Sequence, residues 1–393
     1  MRVEADHFNQ MPSKRMMIIA GEASGDMHGA KLAQSLKQLG GDLFLFGIGG
    51  NAMRAEGVDL LVDARDLAVV GITEVLGKLP TIRRALGIVR KALVRIRPQL
   101  LILIDFPDFN FRVAAMAKRI GIPVLYYISP QIWAWRQGRV KTIKRLVDHM
   151  AVILPFEAPF YRKHDVPVTF VGHPLLDRIQ PKSTVDSKSS MAKAPTIGLL
   201  PGSRGKEVST LLPAMLQAAG IIRKTFPSAR FMVSCADSID ADRVFGLVRE
   251  QPMLADVDIV NGPVSEMFQK SHLLVAASGT VTLEAALHGI PLVIVYKVSP
   301  LSYWLGKRLI KIKHIGIVNL IIQKGLLPEL IQGDASPHKI AATVVGLLKD
   351  QRQFNQIRSE LLRVKNLLGG AGASNRVARL AFDLIRAKSS NDE

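Results

Sequence analysis

Leu273-Leu274-Val275-Ala276-Ala277-Ser278-Gly279-Thr280-Val281-Thr282-Leu283-Glu284 joins an apolar run, a tight polar turn and the start of a helix. The run 273–276 reads as a strand buried on both faces, and 281–288 as a helix stopped by Gly289. A strand, a Ser-Gly-Thr turn and a helix start form an α/β unit whose turn can cradle an anion. Backbone N–H groups and two hydroxyls converge there, at the positive end of the helix dipole. Glu284 lies one turn inside, and helical side chains lean back toward the N-terminus. It can therefore reach a hydroxyl pair held just beyond the phosphates, which is the shape of a nucleoside diphosphate. The competing reading is a helix cap at Ser278 or Thr280. A capping box places Glu or Gln three residues after the cap, whereas Glu284 lies four after Thr280 and six after Ser278.

The 393-residue chain has room for two or three such units at about 150 residues each. Lys plus Arg number 52 against 33 Asp plus Glu, a net charge of +19 with the excess spread over both halves. Charge of that size favours an anionic partner: nucleic acid, a phosphorylated substrate or an anionic membrane face. No helix-turn-helix, zinc-finger or RNP-type motif accompanies it, which argues against nucleic acid. A single cysteine, Cys235, excludes an intrachain disulfide and suits a reducing compartment. The first residues are polar, and no run reaches the ~18–20 apolar residues of a membrane span.

The α/β alternation extends in both directions from the opening stretch. Runs at 16–20, 43–46, 100–104 and 124–128, and again at 196–200, 231–234, 273–276 and 292–295, read as buried parallel strands between amphipathic helices. Residues 181–195, rich in Ser, Lys and Pro, read as a linker. The predicted division is an N-terminal extension at 1–15, a Rossmann-like unit at 16–180, the linker, a second Rossmann-like unit at 196–365, and a C-terminal helix with a polar tail at 366–393. Two such units suggest a cleft, with ligands at the carboxyl ends of strands.

Chemistry is therefore sought just after the apolar runs. Gly202, Ser203 and Arg204 follow the strand at 196–200: a close-approach glycine, a hydroxyl and a fixed cation, or else a plain turn with a solvated arginine. Neither turn has the Walker spacing, and the Gly47–Ala52 match to G-x-G-x-x-A opens too short a helix for a pyrophosphate. In the turn at 21–26, Ser24 and Asp26 are candidates for sugar hydroxyls. Asp105 ends the strand at 100–104 and is the general-base candidate. Asp108 reads more simply as a helix N-cap. Trp133 and Trp135 read as core or rim packing, with an apolar-ligand groove as the alternative, and His173 as structural. No His, Cys and Asp cluster has metal-ligand spacing. Ile82, Leu86, Val89, Leu93 and Ile96 form a core stripe, with Arg83, Arg84, Arg90, Lys91 and Arg95 off it. Tyr303, Trp304 and Leu305 sit beside Lys307, Arg308, Lys311 and Lys313, a pattern of either a membrane-surface element or a packed helix.

Together these motifs resemble the lipid-A-disaccharide synthases, inverting glycosyltransferases of the GT-B fold. The resemblance covers nearly the whole chain from Met16. It rests on GEASGD at 21–26 with Gly29-Ala30, LAVVGITEVLG at 67–77, IDFPDFN at 104–110, YISPQIWAWR at 127–136 and LPFE at 154–157. GHP at 172–174, LLPGSRGKEV at 199–208, ASGTVTLE at 277–284 and Asn319-Leu320 complete it. It departs at Phe106, often a small residue in the family, in the basic linker, and in the N-terminal extension.

The resemblance implies two facing Rossmann-like domains and transfer from UDP-2,3-diacylglucosamine to 2,3-diacylglucosamine 1-phosphate. The products are a β-1,6-linked disaccharide phosphate and UDP. It implies no metal or other cofactor. Gly202, Ser203, Arg204, Ser278, Gly279 and Thr280 would hold the diphosphate, Glu284 the ribose and Asn319 the nucleotide or donor. Asp105 would be the base, with Ser24, Asp26, Asp108, Trp133 and His173 on the acceptor side or behind it. The expected partners are the two acylated substrates and an anionic membrane surface rather than nucleic acid, with a homodimer left open. The expected location is the cytoplasmic face of the inner membrane of a Gram-negative-type bacterium. Another UDP-sugar GT-B enzyme, a lipid-acceptor transferase or an epimerase, is the alternative, and a basic nucleic-acid-binding protein a more distant one.

Overall fold

The computed structural model describes residues 14–67, 72–178, 194–251, 256–299, 303–304 and 313–392, with backbone alone at 72–78 and 391–392. The predicted extension but for its last two residues, which open the first strand, all of the linker but its last two residues, residues 68–71 of the motif at 67–77 and most of the stretch at 303–313 lie outside these residues. The chain divides into two compact units, Met1–Asp177 with Leu368–Glu393, and Arg178–Leu367.

The first unit is built on a parallel sheet of seven strands: β1 (Lys14–Ala20), β2 (Leu43–Gly49), β3 (Asp59–Asp63), β4 (Leu100–Ile104), β5 (Val124–Tyr127), β6 (His149–Val152) and β7 (Val168–Phe170). Their spatial order is β3-β2-β1-β4-β5-β6-β7. Successive side chains of a strand point to opposite faces. Met17 and Ile19 enter one core with Val89, Leu93 and Val113, while Met16, Ile18 and Ala20 enter another with Leu32 and Leu36. Both faces are covered, which is why the strands are apolar throughout.

The second core also takes Val377, Ala378, Ala381 and Phe382 from the helix Ala373–Asp392. The expected C-terminal helix is there, and it runs on through the residues read as a polar tail. The segment's apolar residues recur at helical spacing, and its packing against the helix Ala23–Gly40 and β4, in the core that Met16, Ile18 and Ala20 enter, joins Leu368–Glu393 to the first unit. Phe382 lies over Gly40, where a Cβ would stand 2.4 Å from the ring.

The second unit carries a parallel sheet of six strands: β8 (Thr196–Leu200), β9 (Arg230–Cys235), β10 (Asp258–Asn261), β11 (Leu273–Ala277), β12 (Leu292–Tyr296) and β13 (Glu329–Ile331), ordered β10-β9-β8-β11-β12-β13. In each sheet the strand order reverses once. β1 has β2 on one side and β4 on the other, and β8 is flanked likewise by β9 and β11. Those two switch points are where open α/β sheets bind ligands.

The stripe read at 82–96 lies on the helix Ile72–Ile96, with Val89 and Leu93 buried and Arg83, Arg84, Arg90, Lys91 and Arg95 on its exposed side. Gly47 is fixed by close approach. Its φ is +151°, and a Cβ would lie 1.9 Å from the Ile18 carbonyl oxygen. Gly47→Ala is therefore expected to destabilise the first unit by about 3 kcal/mol, seen as a lower urea midpoint. An unchanged midpoint would contradict this packing.

Candidate active site

At the second unit's switch point, β8 and β11 are paired with Leu200 opposite Ala276. The turns that follow them, Pro201–Arg204 and Ser278–Thr280, therefore leave the sheet side by side at its carboxyl edge. The cap question is answered by the helix Thr280–Leu287. Gly279 stands at the N-cap and no side chain caps the helix. Neither the Ser278 nor the Thr280 hydroxyl has a hydrogen-bond partner among the described residues. Thr282, not proposed from sequence, is the committed hydroxyl, donating to the Gly279 carbonyl at 2.7 Å. Gly279 and Thr280 are exposed and Ser278 half-buried. Two open hydroxyls and free first-turn N–H groups remain for an anion.

Gly202 has φ +114°, in the range that favours glycine, and the Glu207 carboxylate closes the space where a Cβ would stand. The Ser203 carbonyl accepts from Ser238 Oγ at 2.7 Å, which fixes the turn. Arg204 precedes the helix Gly205–Thr225 and meets Glu207 at 3.1 Å, with its side chain 70% exposed. A pair that exposed holds its arginine weakly, so an incoming phosphate can take it over. Glu284 is half-buried within the helix Thr280–Leu287. Burial pushes its carboxyl up, partly offset by the Arg178 guanidinium.

Asn319 does not lie open to a ligand. It is fully buried, its Nδ2 donates to the Leu327 carbonyl at 2.8 Å and to Glu329 Oε1 at 2.7 Å, and its Oδ1 accepts from the Leu327 N–H at 2.9 Å. The direct nucleotide contact is corrected accordingly: with both amide donors used, Asn319 acts by holding the segment between β12 and β13. Glu329, which no sequence signal marked, also accepts from the N–H groups of Ile315 and Gly316 at 2.8 and 3.0 Å.

At the first unit's switch point, Ala20 of β1 pairs with Ile104 of β4. Asp105 and the Gly21–Asp26 turn thus emerge together. Burial, then the neighbouring Glu22 carboxylate, push the Asp105 carboxyl up to about 6, against a smaller opposing hydrogen bond from the Phe106 N–H. A carboxylate with that pKa at a sheet's carboxyl edge is suited to accept a proton near neutral pH. Asp105 and Phe106 both have positive φ, +44° and +48°, a strained backbone for residues with side chains. The Phe106 ring lies against Gly21, where a Cβ would clash at 2.2 Å.

The other first-unit candidates separate. Ser24 is exposed in the first turn of the helix Ala23–Gly40. Asp26 is a correction: its carboxylate is buried and accepts from the N–H groups of Gly50, Ala52 and Met53 at 2.7, 3.0 and 3.0 Å. It caps the short helix Asn51–Ala55 and has little left for a sugar. Asp108 is not the expected cap, since Phe106 occupies that position; it is exposed and pairs with Arg139 at 2.8 Å.

Trp133 is buried and donates through Nε1 to Glu157 at 3.0 Å. Trp135 is 43% exposed with the Arg136 guanidinium 4.2 Å above its ring. Glu157, another residue missed from sequence, also accepts from the N–H groups of Ile153 and Leu154, and burial pushes its carboxyl up to about 7. His173 is buried, accepts the Leu175 N–H on Nδ1 and is held down to about 4 by burial, so it stays neutral as a structural group. Among the described residues no group of three His, Cys, Asp or Glu could hold a metal ion, and no helix is long and apolar enough to cross a membrane.

Comparison with known proteins agrees with this layout. The family profile for lipid-A-disaccharide synthetase matches residues 16–381. A lipid-A-disaccharide synthase of Geobacter sulfurreducens is 47% identical over 377 residues, covering 95% of this chain and 98% of the relative. One of Coxiella burnetii is 42% identical over 383 residues, covering 95% and 100%. Among solved structures, the UDP-GlcNAc 2-epimerase of Neisseria meningitidis bound to UDP-GlcNAc aligns with a TM-score of 0.62 at 12% identity, covering 94% of this chain and 100% of that one. The calicheamicin glycosyltransferase CalG4 aligns at 0.61 and 16%, covering 96% and 99%. At such identities these two speak for the two-unit GT-B fold alone. The family profile and the near-full-length relatives go further: the chain belongs to the lipid-A-disaccharide synthase family.

Proposed function

We propose that the chain condenses UDP-2,3-diacylglucosamine with 2,3-diacylglucosamine 1-phosphate without a metal. The first unit supplies the base and the second holds the leaving group. Asp105 takes the proton of the acceptor 6-hydroxyl as that oxygen attacks the donor's anomeric carbon. A new C–O bond forms, the bond to the diphosphate breaks, and the electron pair leaves on UDP. Attack opposite the leaving group inverts the carbon and gives the β-1,6 linkage. Arg204 and the Ser278–Thr280 turn receive the developing charge, the task a divalent cation performs elsewhere.

The observation carrying this reading is the pair of uncommitted groups at the two switch points: a base-ready Asp105 on one sheet, and open hydroxyls beside a weakly paired Arg204 on the other. The exposed Trp135–Arg136 pair and the net charge of +19 support work at an anionic membrane surface on the cytoplasmic side.

The test gives the purified full-length protein both acylated substrates in EDTA and follows UDP release. Release with the acylated donor and not with UDP-N-acetylglucosamine is expected. No release overturns the reading, equal release from both donors favours another UDP-sugar enzyme, and release only after added Mg²⁺ removes metal independence. Glu284→Ala is expected to weaken UDP binding about tenfold, the ~1.4 kcal/mol of one lost charge-assisted hydrogen bond. Calorimetric titration with UDP checks this, and an unchanged Kd would remove Glu284 from the ribose.

A further inference from the structure

The backbone carbonyl of Asp105 is held by two buried side chains from different elements. Tyr126 of β5 donates its hydroxyl to that oxygen at 2.6 Å, and Asn110 of the helix Pro107–Arg119 donates Nδ2 to it at 2.6 Å and to the Ile104 carbonyl at 3.3 Å. Both residues are fully buried. Burial raises the Tyr126 phenol well above its ordinary range, so it remains a donor at every working pH. The Asn110 Oδ1 is buried without a partner. A leucine would fill that position with no orphaned acceptor, so what the position uses is the amide's two donors. The oxygen they grip belongs to the first of two consecutive non-glycine residues in the left-handed region. Such strain persists only where the surroundings over-determine it.

We propose that Asn110 and Tyr126 are positioning residues for the transfer: they clamp the Asp105 carbonyl and so fix the Asp105–Phe106 turn that aims the carboxylate at the acceptor hydroxyl. This rests on Asp105 being the base. In a relaxed turn, Asp105 would return toward the extended conformation of β4 and its carboxylate would swing away from the carboxyl edge. Misplacement of a catalytic group by even 1 Å can cost ~100-fold in rate. The clamp acts on kcat and has no part in nucleotide binding, which belongs to the other unit.

The experiment compares Tyr126→Phe, Asn110→Ala and the double variant with Asp105→Asn, all as full-length protein. Tyr126→Phe keeps the ring's volume and removes a single hydrogen bond. Its kcat is expected to fall about tenfold, and that of the double variant about 100-fold, with KM for both substrates and the Kd for UDP unchanged. The acid limb of the kcat/KM profile should also move to lower pH, because a loosened turn lets water reach the carboxylate. Full activity with the native pH profile in both single variants, alongside an inactive Asp105→Asn, overturns the clamp and leaves the base in place. Full activity in Asp105→Asn overturns both. Loss of UDP binding together with kcat in every clamp variant overturns it as well, since that marks a general folding role.

Discussion

Asp105→Asn is expected to lower turnover by about 10³-fold, within the 10²–10⁴ that a general base supplies, while UDP still binds. The substitution keeps shape and removes a carboxylate at the first unit's switch point whose pKa is raised toward neutral. The sign of the pH dependence follows from the direction of that shift. The base is active when ionised, and burial with Glu22 raises its pKa to about 6, so kcat/KM climbs with pH through that value and levels off above it. Glu22→Gln removes the like charge, and the climb is expected to move to lower pH. Single-turnover rates from pH 5 to 8 on the three proteins give both results. Undiminished turnover in Asp105→Asn removes it as the base, and an unmoved limb in Glu22→Gln removes the proposed charge coupling.

The second large effect is expected at Arg204. Arg204→Ala should reduce kcat by about 10²–10³-fold, the cost of losing one preorganised donor to developing charge. The effect falls on kcat because the diphosphate gains most of its extra charge as the sugar leaves. The present partner of Arg204 is Glu207, in the first turn of the helix that follows it, through a largely exposed pair. Arg204→Lys keeps the charge and loses the forked geometry, so an intermediate rate is expected. Normal kcat in Arg204→Ala, measured with saturating donor, would take the arginine out of leaving-group stabilisation.

Much of the architecture could be read from hydropathy, because both sheets are parallel and buried on both sides. Such strands appear as continuous apolar runs, and β1, β2, β4, β5, β8, β9, β11 and β12 were all found that way. The strands overlooked have weaker signals. β3, β10 and β13 contain no fully buried position, and β7 is three residues long. β6 is only four residues, interrupted at its start by His149. None of these can be told from loop by periodicity.

The site divides along a similar line. As candidates, Asp105, Arg204 and the Ser278 turn are legible in sequence because each follows directly on a strong strand. Asp26 and Asn319 were misjudged because sequence shows a polar residue without its bonding partners. Those of Asp26 lie 24 to 27 residues away, and those of Asn319 eight and ten. Glu157, Glu329, Asn110 and Tyr126 were missed for the same reason. Their importance lies in the backbone groups they grip, and no local pattern reports that.

The return of residues Leu368–Glu393 to the first unit sets the order in which this protein can be completed as it is made. The second unit is one uninterrupted stretch, finished as soon as Leu367 has emerged from the ribosome. The first unit begins earlier and ends later. The core on one side of its sheet lacks Val377, Ala378, Ala381 and Phe382 until the helix Ala373–Asp392 is synthesised. At about 5–20 residues per second, the nascent sheet waits on the order of 10–40 s with the core on that side only partly filled. A chain cut short just before Ala373 would leave the second unit whole and the first with part of its core missing.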